Sequence, residues 1–179
     1  MAVKIIAAAW GFAEATLFFI VPDVWTSATG INNLKQGLIA CLWALTGALA
    51  GGLLMYLWGQ YEPVVSTHWV ESVPAINTAM MDEVRASLTT TGIGAMFIGP
   101  LQGIPYKTFA VQAYGAGIPL GLFLLLSIPA RLIRFALVTV LANVVARYAL
   151  PNRSVAFRRS ILLAVWALFY GYYFTVMSS

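Results

Sequence analysis

Five ionisable side chains, Glu14, Asp23, Lys107, Arg131 and Arg134, lie inside stretches that are otherwise apolar. A charge placed centrally in a bilayer costs about 2.5 to 3.5 kcal/mol on the insertion scale, so five dispersed charges would cost roughly 12 to 17 kcal/mol unless they meet one another or line water. Their spacing favours a meeting. Arg131 and Arg134 are i and i+3, on one face of a helix. Asp23 directly follows Pro22, and Lys107 comes two residues after Pro105, so each of two proline breaks carries a charge. Two acids against three bases leave +1 if all are ionised, and an anion completes that balance. Proline suits the start of a helix, so Pro22 and Pro105 predict two helix N-termini whose free N–H groups and positive dipole ends favour a phosphate. Guanidinium pairs add bidentate forks. Arg131, Arg134 and Lys107 are therefore expected to bind a substrate anion. Glu14 and Asp23 are expected either to pair with these cations or to exchange a proton and couple the site to pH. A purely structural use, with ion pairs fixing the breaks in place, is the alternative.

The chain around these residues reads as a membrane protein. Of its 179 residues 61% are hydrophobic and 9% are charged, where a soluble domain carries about 25% charged residues. Ten Lys/Arg against six Asp/Glu give a net charge of +4. On so apolar a chain that excess suits loops facing an anionic leaflet, and no basic stripe supports a nucleic-acid partner. One cysteine, Cys41, and one histidine, His68, leave no internal disulfide, no Cys/His metal cluster and no thiol chemistry, so neither a metal nor another cofactor is expected. An apolar N-terminus with Lys4 resembles a signal peptide, but Glu14 interrupts it and no small-residue cleavage site follows, so it is read as part of the fold.

The expected fold class is an all-α integral membrane protein built as one domain, residues 1–179. Residues 36–61 carry no charge and span roughly 39 Å as a helix, more than the ~30 Å hydrocarbon core. Their Gly47 and Gly51 have the spacing of a close helix contact. Residues 62–91 contain the one polar stretch of any size, Glu62 to Arg85, and are expected as an extramembrane loop, with a short amphipathic helix over 80–88. Residues 92–117 are apolar but broken by Gly92, Gly94, Gly99, Pro100, Gly103 and Pro105, which predicts a re-entrant hairpin of two half-helices buried in protein. Residues 118–148 then form a long helix bent near Pro129. Residues 3–30 repeat the broken pattern on a smaller scale. A shift of 83 lays Val21-Pro22 on Ile104-Pro105, and one of 87 lays Gly30 on Gly117 and Tyr61 on Tyr148. An inverted repeat of hairpin plus transmembrane helix follows, with a site at the repeat interface. An additional transmembrane helix over 160–177 closes the chain. Trp10, Trp25, Trp43, Trp58 and the terminal tyrosines are expected as interface anchors or packing, and Asn143 and Arg147 continue the arginine face toward the cytoplasm.

Three stretches in order carry a family resemblance. Gly11-Phe12-Ala13-Glu14-Ala15-Thr16 with Val21-Pro22-Asp23, then Gly103-Ile104-Pro105-Tyr106-Lys107 leading to Gly115-Ala116-Gly117, then Arg131-Leu132-Ile133-Arg134-Phe135, resemble the DedA family, most of all its YqaA-type branch within the VTT-domain (SNARE-associated) superfamily. The likeness covers residues 10 to 148. It implies two opposed re-entrant hairpins and movement of lipids across a bilayer. Bacterial members are linked to recycling undecaprenyl phosphate, and eukaryotic VTT-domain relatives are phospholipid scramblases. The family's essential acids fall on Glu14 and Asp23, and its essential arginines on Lys107 and Arg131 or Arg134. Typical members have Gly-Arg-Phe-Ile-Pro in the second hairpin. Here Gly99-Pro100-Leu101-Gln102 has no arginine, and Lys107, a point charge without the bidentate fork, takes the later cationic place.

The expected activity is thus a flippase or scramblase for lipid phosphates, undecaprenyl phosphate or a glycerophospholipid, in a bacterial cytoplasmic membrane, with lipid headgroups and protons as partners. The sequence leaves room for a homo-oligomer. A proton-coupled carrier of small solutes or ions and a non-catalytic scaffold are the alternatives. An enzyme is not expected, because no base or nucleophile motif accompanies the charges.

Positive charge sets an orientation. With both hairpins returning to the side they enter, Lys4, Lys35, Arg147, Arg153, Arg158 and Arg159 fall on the cytoplasmic side and Arg85 alone outside. With Cys41 replaced, single cysteines at Thr67 and Ser178 are expected to react with an impermeant maleimide from outside, and one at Ser154 only from the cytoplasm. Labelling of Ser154→Cys from outside would reverse the orientation.

Overall fold

A computed structural model describes residues 1–177. Residues 178–179 of the expected domain, including the Ser178 labelling site, lie outside the described residues. Every regular element among the described residues is helical, in the order α1 (Ala2–Thr16), α2 (Asp23–Gly30), α3 (Leu34–Tyr61), α4 (Pro63–Glu71), α5 (Thr78–Thr90), α6 (Ala95–Ile98), α7 (Tyr106–Ala113), α8 (Leu120–Ala149) and α9 (Val155–Met177). Three of them, α3, α8 and α9, are long and apolar enough to cross a membrane.

α3 is the central element. It packs along α1 and touches α2, α4, α7 and α8, and half of its spanning window is buried. Small residues make this possible. A Cβ on Gly11 would strike the Ala44 carbonyl, and one on Gly47 would strike the Ala8 carbonyl and the Phe12 nitrogen, so α1 and α3 meet backbone to backbone at two reciprocal points. Gly51 extends the contact to Ala15. The expected glycine seam of α3 is therefore used against α1. Without a hydrophobic drive between helices in lipid, this close approach maximises dispersion and suits a membrane interior.

Residues 62–91, expected as a loop, are mostly helical. Pro63 opens α4 at the position where its missing N–H is harmless. The Asn77 side chain accepts from the Met80 N–H and caps α5. The amphipathic segment expected over 80–88 lies within α5, and its apolar face is not left for an interface. Met80, Met81, Val84 and Leu88 are buried, with α5 against α7, and Gln112 of α7 donates to the Met81 carbonyl at 3.0 Å.

Both expected breaks are present. α1 stops at Thr16 and α2 begins at Asp23, with Pro22 as the residue before it. The second is less regular than two half-helices. Residues 92–101 form 3₁₀ turns around the four-residue α6, because Gly92 has φ +66° and Pro100 interrupts the run, and only α7, after Pro105, is a uniform half-helix. Pro129 sits inside α8, which continues through it. Asn143 of α8 donates to the Gly30 and Ile31 carbonyls and ties that helix to the end of α2.

The reciprocal glycine contact is testable. Gly47→Val should force α1 and α3 apart and destabilise the protein by about 1 to 3 kcal/mol, the range for overpacking. Gly121→Ala, where a Cβ meets nothing within 4 Å, should leave the thermal midpoint in detergent unchanged or raised. Equal midpoints for Gly47→Val and wild type would remove the contact from the account of the fold.

Candidate functional site

The five charges are placed by two breaks in helical structure and one long helix. Glu14 lies in the last turn of α1, Asp23 opens α2, Lys107 is in the first turn of α7, and Arg131 and Arg134 project one turn apart from α8. All five come together. Glu14, Asp23 and Arg131 are each 2% exposed and Lys107 is fully buried.

Two ion pairs of different quality result. Arg131 meets Glu14 as a fork, Nη1 donating to Oε1 at 3.3 Å and Nη2 to Oε2. Its guanidinium also lies 4.6 Å from the Tyr106 ring centroid and 4.9 Å from that of Phe135. A weakly hydrated, planar cation suits a place between rings and carboxylate. Arg134 and Asp23 form the looser pair. Nη2 and Oδ2 are 2.9 Å apart, but Nη2 is not aligned for a hydrogen bond, and Asp23 Oδ1 and Arg134 Nε also lack hydrogen-bond partners. The Arg134 side chain is 23% exposed. The Glu14 fork leaves one donor, Arg131 Nε, without a partner, while the looser pair leaves two donors and an acceptor unused.

Among the described residues Lys107 forms no ion pair with an acid. Its Nζ donates to the Phe18 carbonyl at 2.6 Å, so the second break reaches across and holds the first. Other backbone groups of the breaks are held in the same manner. Trp10 Nε1 donates to the Ile20 carbonyl at 2.8 Å, the Val21 N–H donates to Tyr170 Oη at 2.8 Å, and Tyr173 Oη donates to the Gly103 carbonyl at 2.8 Å. Freed backbone groups away from water need such partners. Trp10 and the two tyrosines, expected as interface anchors or packing, thus support the breaks. The available signal was the spacing of Trp166, Tyr170 and Tyr173, which puts three polar-tipped aromatics on one face of α9.

A cavity of about 510 Å³ opens beside the looser pair. Glu14, Asp23 and Arg134 supply charge at one part of its wall and Arg158 at another, and most of the rest is apolar surface from α8 and α9. Val21 and Pro105 also line it, so the starts of both α2 and α7 border it as expected. Arg131 and Lys107 do not line it. Of the three cations expected to bind an anion, Arg134 alone is on the wall, because the Glu14 fork and the Phe18 carbonyl hold the other two within the protein. His68 is on α4, where it lies 3.7 Å from Glu71. Among the described residues no group of three His, Cys, Asp or Glu side chains is placed to hold a metal ion.

No family model matches the chain. It is similar to an uncharacterized protein of Haemophilus influenzae, with 27% identity over 133 residues that span 73% of this chain and 67% of the relative. No solved structure matches.

The closed pair should behave as a unit. Glu14→Ala leaves a buried guanidinium without its carboxylate and should cost about 3 to 5 kcal/mol, whereas Glu14→Leu combined with Arg131→Met should recover most of that loss. Chemical unfolding in detergent across the double-mutant cycle measures the coupling. Additive losses would show that the fork contributes nothing specific.

Proposed function

We propose that the chain is a multi-pass transporter of the cytoplasmic membrane that moves lipid phosphates between leaflets as a flippase or scramblase. In this reading α1 with α2, and the segment from residue 92 through α7, are two re-entrant hairpins. Each precedes a membrane-crossing helix, α3 and α8, in an inverted repeat of DedA type, and α9 is the additional span. The observation that carries the reading is the incomplete Arg134–Asp23 pair on the wall of an otherwise apolar cavity. Its volume, about 510 Å³, is in the ~300 to 1,000 Å³ range of small-molecule sites. A lipid phosphate matches both chemistries, with an anionic head for the unused Arg134 donors and a hydrocarbon tail for the α8 and α9 surfaces.

The division of labour is unequal. Arg134 contacts the headgroup, while Arg131 and Lys107 act indirectly by fixing Glu14 and the first break. A phosphate arriving at Arg134 competes with Asp23 for the same guanidinium. The carboxylate is then better placed as a neutral acid donating through the oxygen that now lacks a partner, which gives proton coupling a concrete atom, Asp23 Oδ1. A carrier of small polar solutes fits less well, since the lining is predominantly hydrocarbon. Transport is proposed in preference to catalysis because the described lining offers a charged end and a hydrocarbon wall, which suit carrying a tailed anion.

The test is reconstitution into liposomes with a labelled polyprenyl phosphate or glycerophospholipid, with and without a pH gradient. Wild-type protein should accelerate transbilayer movement over empty liposomes. Arg134→Ala should lower the rate about 10- to 100-fold, the loss of one charge-assisted contact. Asp23→Asn should flatten the pH dependence of whatever rate remains. No acceleration by folded wild-type protein would overturn the proposal.

A further inference from the structure

The cavity has an outer wall, α9, that is held by a few hydrogen bonds more than by packing. α9 supplies Leu162, Val165, Phe169 and Tyr170 to the lining, across the cavity from Val138 and Leu141 of α8. Its spanning window contains no buried residue, against half for α3, and α9 packs on α2 while scarcely touching α8. What ties it to the rest is directional. Trp166 Nε1 donates to Ser27 Oγ at 3.2 Å, Tyr170 Oη accepts from the Val21 N–H, and Tyr173 Oη donates to the Gly103 carbonyl. The Phe19 ring, 5.0 Å from that of Tyr173, adds a contact at the same level. The three bonds reach α2 and both breaks. At the other end α9 follows a short link through Pro151, where Arg158 donates to the Leu150 and Pro151 carbonyls and to Asn32 Oδ1, a hydrogen-bonded base for the helix.

We infer that α9 is a lateral gate, pivoting near Arg158 and latched on α2 and the two breaks by Trp166, Tyr170 and Tyr173. The inference rests on the transport reading for its purpose, and on the cavity wall for its geometry. A tailed substrate must pass between helices to reach Arg134 from the bilayer, and α9 is the wall whose removal disturbs none of the glycine-close contacts of α1 with α3. The latch bonds belong to the same backbone that shapes the charged end of the cavity. Rearrangement of Asp23 or of the Val21 segment around a headgroup therefore acts directly on the gate. Three interhelical hydrogen bonds of the strength measured between membrane helices bias the closed form roughly twentyfold, enough to keep it shut and little enough to be overcome.

Two measurements on the full-length protein in nanodiscs test the gate. With Cys41→Ala as background, spin labels at Leu54→Cys on α3 and Leu168→Cys on α9 should give one dominant distance. The triple variant Trp166→Phe, Tyr170→Phe, Tyr173→Phe should add a longer component, with an open-to-closed ratio raised about twentyfold. An unchanged distribution in the triple variant would overturn the gate. Separately, Ser27→Cys with Trp166→Cys, joined by a reducible thiol crosslinker, should stop lipid-phosphate transport and release it on reduction, a reversal that a misfolded protein cannot show. Full transport by the crosslinked protein would also overturn the gate. If wild type moves no lipid phosphate while the spin-label distances still respond, the gate stands and the substrate reading falls.

Discussion

The Glu14–Arg131 fork is the interaction on which the rest of the molecule depends. It joins the end of α1 to the middle of α8 where neither ion meets solvent. α1 is in turn set against α3 by glycines that admit no side chain between the backbones. A buried pair of this kind contributes little net stability compared with apolar side chains of the same shape. What it contributes is register: only one rotation of α8 about its axis presents Arg131 to Glu14, and that rotation carries Arg134, one turn on, to Asp23. The position of the looser pair is therefore a consequence of the tighter one.

A division between closed and open chemistry follows. The fork, the rings of Tyr106 and Phe135, and the Lys107 bond to Phe18 engage most of the polar capacity of the inner layer and leave Arg131 Nε without a partner. Asp23 and Arg134 keep theirs. In a low-dielectric interior, unused donors and acceptors are the groups through which a ligand gains most, because nothing has to be broken to engage them. The same economy extends to the backbone of the breaks, whose freed groups are held by side chains from α1, α7 and α9, so the charged residues and the aromatic ones form a single hydrogen-bonded frame.

Much of this was legible in the sequence, for reasons of contrast. Glu14, Asp23, Lys107, Arg131 and Arg134 stand out because charge in an apolar run has to be compensated, and Pro22 and Pro105 mark helix starts because proline cannot do otherwise. Which acid meets which base was not legible, since that depends on helix rotation set by distant glycine contacts. Nor was the withdrawal of Arg131 and Lys107 from the cavity, because a cation bonded to a carboxylate and one bonded to a carbonyl look alike in a string of letters. The helix α4 was obscured by Pro63, which reads as a breaker and serves here as a first-turn residue, whereas the helix expected over 80–88 lies within α5. Tyr170 and Tyr173 were obscured by the usual place of aromatics at membrane surfaces.

The span of the fork along the chain adds a matter of timing. Glu14 and Arg131 are 117 residues apart, and synthesis at about 5 to 20 residues per second separates their appearance by roughly 6 to 23 s. Throughout that interval the first helix has been made and the guanidinium that forks onto its carboxylate has not. The glycine seam with α3 is complete long before, so α1 has a neighbour to lie against while its carboxylate waits. Assembly is thus ordered by the ribosome, with packing first and charge neutralisation last. A chain that stops before α8 holds Glu14 and Lys107 but neither arginine of the site, so its acids lack the guanidinium groups they meet in the finished fold.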